Sequence, residues 1–262
     1  MEKERADILL TSLGLASSRE KAKALIMAGE VFVENRKITK AGEMIPCNSK
    51  LIVKEDSCPY VSRGGLKLEK AIKVFNISLS NKICADIGSS TGGFTDCMLQ
   101  NGASKVYSID VGYGQLDWKL RNDKRVVVME RTNARYLDEN SYNDKIDFAS
   151  VDVSFISLKL IFPAIKASKI SEVVALIKPQ FEAGKENVGK NGVVRDPKVR
   201  ENVINSVIKY AEDNGYYIDL LDFSPIKGPS GNIEFIAHFT TAKPETCIDV
   251  TNVVDSATEF FS

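Results

Sequence analysis

DIGSSTGGFTDCML, residues 86–99, follows the apolar run KICA at 82–85. An apolar run, a tight glycine turn and a following helix are the local signature of a strand that delivers a nucleotide-like ligand to a helix N-terminus. The spacing excludes the commonest ligands. A dinucleotide fold wants GxGxxG, whereas the glycines here stand at 88, 92 and 93. A P-loop wants GK[ST] after its glycines, and none follows. The acid precedes the first glycine, as Asp86-Ile87-Gly88, an order that suits a ligand with a cationic amino-acid end. Asp110 ends the next apolar run, where a ribose diol would be hydrogen-bonded, and Asn133 follows the third, within reach of an adenine edge. Amino acid, ribose and adenine, read across three strand ends, describe S-adenosylmethionine. The candidate cofactor residues are therefore Asp86, the loop Gly88, Ser89, Ser90, Thr91, Gly92, Gly93 and Phe94, then Asp110, Asn133 and Asp152.

Outward from this loop the pattern alternates. Strands are expected at 82–87, 105–110, 126–130, 146–151, 172–178, 216–223 and 232–239, and helices near 92–101, 115–121, 157–168 and 198–214. This predicts an α/β, Rossmann-like domain with seven strands and a ligand crevice at their carboxyl ends. The end, PETCIDVTNVVDSATEFFS at 244–262, reads as a short strand or loop and then a packed helix.

The first sixty residues have a different grammar. ADILLTSLGLASSREKAKALIMAG predicts two short helices broken at Gly14, with Ser17 or Ser18 as cap and Gly29 as stop. Ala22, Leu25 and Ile26 share one apolar face. EVFVENRKITKAG predicts a hairpin turning at Glu34-Asn35. Pro59 and the Gly64-Gly65 pair mark a linker, and Leu66–Phe75 reads as a helix. The expected organisation is a small α+β domain at 1–58, a linker at 59–66 and the large domain at 67–262.

Lys and Arg together equal Asp and Glu at 35 each, so bulk charge gives no footprint for nucleic acid, though local patches can. On charge alone the basic helix face at 19–23 is an ordinary solvated one. Five Cys with no CxxC spacing argue against a zinc site or a disulfide framework and fit a reducing cytoplasm. No apolar run reaches membrane-spanning length, and MEKERADILL lacks the apolar core of a signal peptide.

Four polar residues fall at one rim of the expected sheet: Lys67 on the entry helix, Asp152 ending the fourth strand in VDVSF, Lys178 ending the fifth in ALIKPQFE, and Glu234 in the last strand, in GNIEF. Each has an ordinary explanation as a cap or an exposed terminus. Lys178, directly after VVALI and before Pro179, is the most telling, because a charge there enters a site rather than a core. The loop EAGKENVGKNGVVRDP at 182–197 is glycine-rich and basic, and it reads equally as a mobile connection or as a segment beside the site.

SSREKAKALIMAGEVFVENRKITKAG resembles the α-L RNA-binding domain named after ribosomal protein S-four, over roughly residues 5–55. SRGGLKL, DIGSSTGGFTDC, SIDVGYGQLDWKLR, RTNAR, DVSFISL, LIKPQFEAG and GNIEF resemble, in order, the TlyA-type rRNA 2′-O-methyltransferases, also called haemolysins, whose catalytic domain is FtsJ-like. The resemblance implies RNA binding through Arg19, Lys21, Lys23, Arg36 and Arg63. It also implies a Lys-Asp-Lys-Glu tetrad mapped onto Lys67, Asp152, Lys178 and Glu234. It further implies S-adenosylmethionine as cofactor and cytidine ribose in large-subunit rRNA, and in some members small-subunit rRNA, as target. The partners would be rRNA or ribosomal subunits, with no metal and no membrane, and the chain is expected to be a monomer.

In that chemistry a lysine made less basic by burial and a neighbouring cation takes the 2′-hydroxyl proton. Lys178 is the expected base, and Lys67 the neighbouring charge. Two other classes compete. A membrane-lysing toxin would need a spanning or strongly amphipathic segment or an export signal. A non-catalytic ribosome-assembly factor would have no use for an intact tetrad.

Overall fold

The computed structural model describes residues 3–16, 18–34, 36–53, 58–245 and 247–262. The chain divides into two compact units, Met1–Pro59 and Tyr60–Ser262.

The small unit begins with β1 (Lys3–Arg5), α1 (Ala6–Ser12) and α2 (Arg19–Ala28). Ser18 caps α2 by accepting from Lys21 N at 3.1 Å, and Gly29 ends it in the left-handed region at φ +76°. Ser17, the other expected cap, lies outside the described residues. β2 (Val31–Val33) and β3 (Arg36–Lys37) form the expected hairpin, with Glu34 at φ +53°; Asn35 lies outside the described residues. β4 (Met44–Pro46) pairs with β1, and β5 (Leu51–Val53) pairs with β2. Ala22 and Ile26 bury the apolar face of α2 against Leu9, Leu10, Val31 and Ile45.

The large unit opens with α3 (Gly64–Val74), β6 (Ile83–Ile87), α4 (Gly93–Gln100), β7 (Lys105–Ile109), α5 (Trp118–Arg121) and β8 (Val126–Met129). It continues with β9 (Phe148–Val151), α6 (Phe162–Ala167), β10 (Glu172–Ile177), α7 (Pro179–Glu182), α8 (Pro197–Glu212), β11 (Tyr217–Phe223), β12 (Phe235–Thr240) and α9 (Val250–Phe260). The seven strands form one sheet in the order β11-β12-β10-β9-β6-β7-β8. β8, β7, β6, β9 and β10 are parallel, whereas β12 inserts antiparallel between β10 and β11. FASV in β9 and VVALI in β10 are buried throughout, as strands covered on both faces must be.

The chain leaves β6 for β7 on one side and returns to β9 on the other. The topological switch point therefore lies between β6 and β9, where α/β sheets place their ligands.

Three expectations shift. The helix expected at 157–168 splits into a 3₁₀ turn, Leu158–Leu160, and α6, which carries Pro163 in its first turn. Glu234 precedes β12 rather than lying within it. Residues 60–66 are packed rather than extended: Tyr60 is buried and α3 already starts at Gly64. A Cβ on Gly65 would fall 2.4 Å from the Tyr60 ring, so only glycine lets the helix seat there. Val61 N donates to Asp96 Oδ2 at 2.9 Å, which fixes this entry against α4. A Cβ on Gly93 would meet Ser62 Oγ at 2.3 Å and Gly65 N at 2.8 Å. The two glycines bring α3 and α4 together and thereby set where Lys67 points.

Candidate active site

The loop after β6 is held by its own backbone. Gly88 N and Ser89 N both donate to Ile109 O, at 2.8 and 3.0 Å. Gly88 sits at φ +90°, and a Cβ there would fall 2.6 Å from Asp152 O across the switch point. Glycine is thus required on two counts, conformation and clearance. Gly92, at φ +94°, faces Leu116 and Leu120 rather than open space. Asp110 braces the loop: its Oδ2 accepts from Ser90 N at 2.8 Å and its Oδ1 from Gly112 N at 2.7 Å. Each carboxylate oxygen keeps a second lone pair for a ligand. Asn133 Oδ1 accepts from Arg135 N at 3.2 Å, capping a short 3₁₀ turn.

Asp86, expected at the amino-acid end of a ligand, lies behind the loop. It is fully buried, and it accepts from Thr95 Oγ1 at 2.6 Å and Ser150 Oγ at 3.1 Å. Thr95 Oγ1 is in turn 2.7 Å from Ser108 Oγ. Burial pushes the Asp86 carboxyl up to about 7, against the pull of these hydroxyl hydrogen bonds. Asp86 lines neither of the cavities in front of the loop.

Those two cavities adjoin. One, about 680 Å³, has Asp110, Gln115, Thr132 and Asn133 on its wall. The other, about 480 Å³, has Lys67, Asp152, Lys178 and Glu234, together with Gly88, Ser89, Ser90, Thr91, Gly93 and Phe94. Gly88, Ser90, Asp152, Ser154 and Phe155 belong to both walls. A ligand with an adenosine at one end and a charged tail at the other has continuous room, and the glycine clearance at Gly88 fits a backbone that a ligand must approach closely.

The four ionisable residues meet as two ion pairs. Lys67 Nζ donates to Glu234 Oε2 at 2.6 Å, with Glu234 1% and Lys67 7% exposed. Gln180 Nε2 holds the other oxygen, Oε1, at 3.1 Å. Lys178 Nζ lies 2.5 Å from Asp152 Oδ1 and donates to Ser154 Oγ at 3.1 Å. The Lys178–Asp152 approach is a charge–charge contact without hydrogen-bond alignment at Oδ1. Lys67 is the charge expected beside Lys178; in the structure each lysine faces a carboxylate, Lys67 facing Glu234 and Lys178 facing Asp152.

Sequence reasoning missed several wall residues. Gln180 is one, and Asn232 is another. The most exposed is Phe155, 91% accessible, at φ +62°, with its ring 4.9 Å from that of Phe181. A non-glycine residue in the left-handed region costs of order 1–3 kcal/mol and tends to mark a functional turn. Nothing in the string DVSFISL announces that φ.

The expected RNA contacts divide between the two units. Lys21 and Lys23 are exposed on α2. Arg19 pairs with buried Asp7 at 3.1 Å, and Arg36 with Glu43 at 2.5 Å. Arg5 and Arg19 together pull the Asp7 carboxyl down to about 2, Arg5 having the larger effect. Arg63 is exposed in the large unit, just before α3. Among the described residues, no group of three or more His, Cys, Asp or Glu is placed to hold a metal ion.

Comparison with known proteins gives the site its context. The profile of the FtsJ-like methyltransferases matches residues 60–241, and that of the S4 domain matches residues 4–46. A candidate rRNA methyltransferase of Bacillus subtilis (strain 168), YqxC, is 55% identical over 240 residues, covering 90% of this chain and 85% of its own. The 16S/23S rRNA (cytidine-2′-O)-methyltransferase TlyA of Mycobacterium tuberculosis (strain ATCC 25618 / H37Rv) is 43% identical over 240 residues, covering 90% of each chain. The solved structure of a haemolysin candidate from Streptococcus thermophilus superposes with a TM-score of 0.80 at 49% identity, covering 100% of this chain and 98% of that one.

Proposed function

The chain belongs to the FtsJ-like methyltransferase family, and from that premise we propose that it methylates the 2′-hydroxyl of a cytidine ribose in rRNA, with S-adenosylmethionine as donor. The observation that carries the proposal is the pair of lysine–carboxylate contacts in one cavity, opening directly into a second cavity walled by Asp110 and Asn133. The residues fit the cofactor. Asp110 would take the ribose diol, Asn133 the adenine edge, and Gly88 to Phe94 the amino-acid end. When bound, the cofactor supplies an electrophilic methyl group on a sulfonium.

The chain's own residues do the rest. The ribose hydroxyl enters the smaller cavity between Lys178 and the Lys67–Glu234 pair. As its oxygen forms the new bond to the methyl carbon and the carbon–sulfur bond breaks, which would leave a neutral thioether, the hydroxyl proton passes to Lys178 Nζ, which must have shed its own proton to accept it. Asp152 then holds the ammonium that results. Lys67, fixed by Glu234, orients the attacking oxygen, and Gln180 keeps Glu234 in register. A positioned base contributes roughly 10²–10⁴-fold and alignment of the reactants more. Phe155 presents an exposed ring at the border of both cavities, suited to stacking a base taken out of its helix.

The small unit would hold the RNA through Arg19, Lys21, Lys23 and Arg36, with Arg63 contributing from the large unit. Among the described residues no helix is long and apolar enough to cross a membrane. A ribosomal substrate places the action in the cytoplasm.

The test is transfer of labelled methyl from S-adenosylmethionine to unmodified ribosomal subunits and to their naked rRNA, with Lys178→Ala in parallel. Label recovered as an alkali-resistant ribose methyl, lost at least a hundredfold in the variant, is the expected result. Cofactor binding without label in any RNA would overturn the proposal and favour the assembly-factor reading.

A further inference from the structure

The segment between α7 and α8 contributes Val188 and Gly192 to the cavity that holds the two ion pairs. It has little regular structure: two 3₁₀ turns, Lys185–Asn187 and Lys190–Gly192, with Gly184, Asn191 and Gly192 at positive φ. Such a stretch has a large conformational entropy to lose on being held in place. Something outside it must hold it against the site.

Two buried side chains do so. Asn232, 1% exposed, uses both ends of its amide: Nδ2 donates to Gly192 O at 2.8 Å, and Oδ1 accepts from Val194 N at 2.9 Å. It mimics a peptide group, and it sits two residues before Glu234. Arg200, in the first turn of α8 and 6% exposed, closes on the next carbonyl. Its Nε and Nη2 both donate to Val194 O, at 3.3 and 3.1 Å. Its Nη1 donates to Thr258 Oγ1 on α9 at 3.1 Å. Three donors of a buried guanidinium are thus given to neutral acceptors. Burying a charge whose direct acceptors are all neutral is costly even with the Asp196 carboxylate acting on it from the helix N-cap, and an apolar side chain would pack there at less cost. The cation is retained at a place where it fixes a carbonyl next to the cavity wall. α9 itself is anchored by Val254 and Ala257, both fully buried, so Thr258 is a firm strut.

We infer that Arg200 is a positioning residue for methyl transfer, clamping residues 188–194 as the wall of the reaction cavity together with Asn232 and braced by the C-terminal helix through Thr258. The inference rests on the methyltransferase reading of that cavity, but half of its test does not. Lys185, Lys190 and Arg195 are exposed tryptic sites within or flanking the clamped segment. Cleavage under native conditions follows local opening when opening is fast relative to cutting.

The experiment compares full-length wild type with Arg200→Met, Arg200→Lys and Thr258→Val. Tryptic cleavage at 185, 190 and 195 is followed by mass spectrometry beside cleavage at Lys21 and Lys23, and methyl transfer is measured with each substrate varied. Arg200→Met is expected to speed cleavage at the three loop sites at least tenfold and leave the small-unit sites within twofold. It is expected to lower kcat for RNA methylation at least tenfold and leave the KM for S-adenosylmethionine within threefold. Arg200→Lys keeps the charge but not the two-pronged grip, and recovers only part of either effect. Thr258→Val, which leaves Arg200 in place, gives the same pattern at about threefold and decides the matter if Arg200→Met does not fold. Unchanged loop cleavage, or acceleration at loop and small-unit sites alike, overturns the inference. If loop cleavage responds as expected while wild type labels no RNA, the clamp stands and the function assigned to its cavity fails.

Discussion

Replacing Asp86 with Asn tests the buried network under the cofactor loop. In the folded chain the carboxyl is pushed up to about 7 from its ordinary value of 3.8, chiefly because burial disfavours its charged form. The folded protein therefore holds a proton here that the unfolded chain releases near 4. Between about pH 4 and pH 7 the native state binds the extra proton, so this group's contribution to stability is complete below that window and is lost as pH rises through it. A displacement of about three pH units corresponds to about 4 kcal/mol across the window. Asn is nearly isosteric and cannot ionise. Its Oδ1 can accept from Ser150, and its Nδ2 can donate to Thr95 Oγ1, which then donates to Ser108. The variant should gain on wild type as pH rises from 5 to 8, by about 3 kcal/mol, because two of the roughly three pH units of displacement fall between those conditions. Urea unfolding of both proteins followed by far-ultraviolet circular dichroism at pH 5, 6, 7 and 8 measures it. A wild-type-minus-variant difference that stays flat over that range would refute the assignment.

Three further outcomes follow from the geometry. Lys67→Met leaves Glu234 buried without its cation and should cost about 3–5 kcal/mol, whereas Lys67→Met with Glu234→Gln should recover most of that stability and stay inactive; thermal melts and methyl-transfer assays on the three proteins separate the two effects. Gly88→Ala drives a Cβ to within 2.6 Å of the Asp152 carbonyl at φ +90°, so calorimetry should show loss of S-adenosylmethionine binding even where the protein folds. Phe155→Ala removes an exposed ring and should move stability by no more than about 0.5 kcal/mol; RNA methylation should still fall about 5- to 150-fold if the ring stacks a base worth about 1–3 kcal/mol. Equal rates for wild type and variant would remove Phe155 from the site.

The sheet was legible because parallel strands covered on both faces read as largely apolar runs, and each ended at a residue that could not be core: Gly88, Asp110, Asp152, Lys178. The antiparallel insertion of β12 was not legible, since strand order depends on packing between distant segments rather than on any local pattern. Asp86 shows the limit most clearly. It pairs across the sheet with Ser108 on β7 and Ser150 on β9, so three strands each place one polar residue in the same row. Each string, ICADI, KVYSI and FASV, shows a polar residue among apolar ones. Only the register shows that the three face one another and leave Asp86 buried.

The two ion pairs invite the same scrutiny. A buried lysine–glutamate contact is weak evidence of stabilisation, because desolvating both charges offsets most of their attraction. Lys67 and Glu234 come from positions 167 residues apart and meet almost out of water. Lys178 and Asp152 meet at the ends of neighbouring strands, where apolar side chains would extend the core at less cost. If these pairs served stability alone, they would have no reason to share one cavity with Gly88 and Phe155 at its edge. Local rules are broken where function requires it, and here four of the breaks fall on a single wall, at the switch point of the sheet, next to the residues suited to hold an adenosine. That coincidence favours a role for the ion pairs in chemistry over one in folding alone.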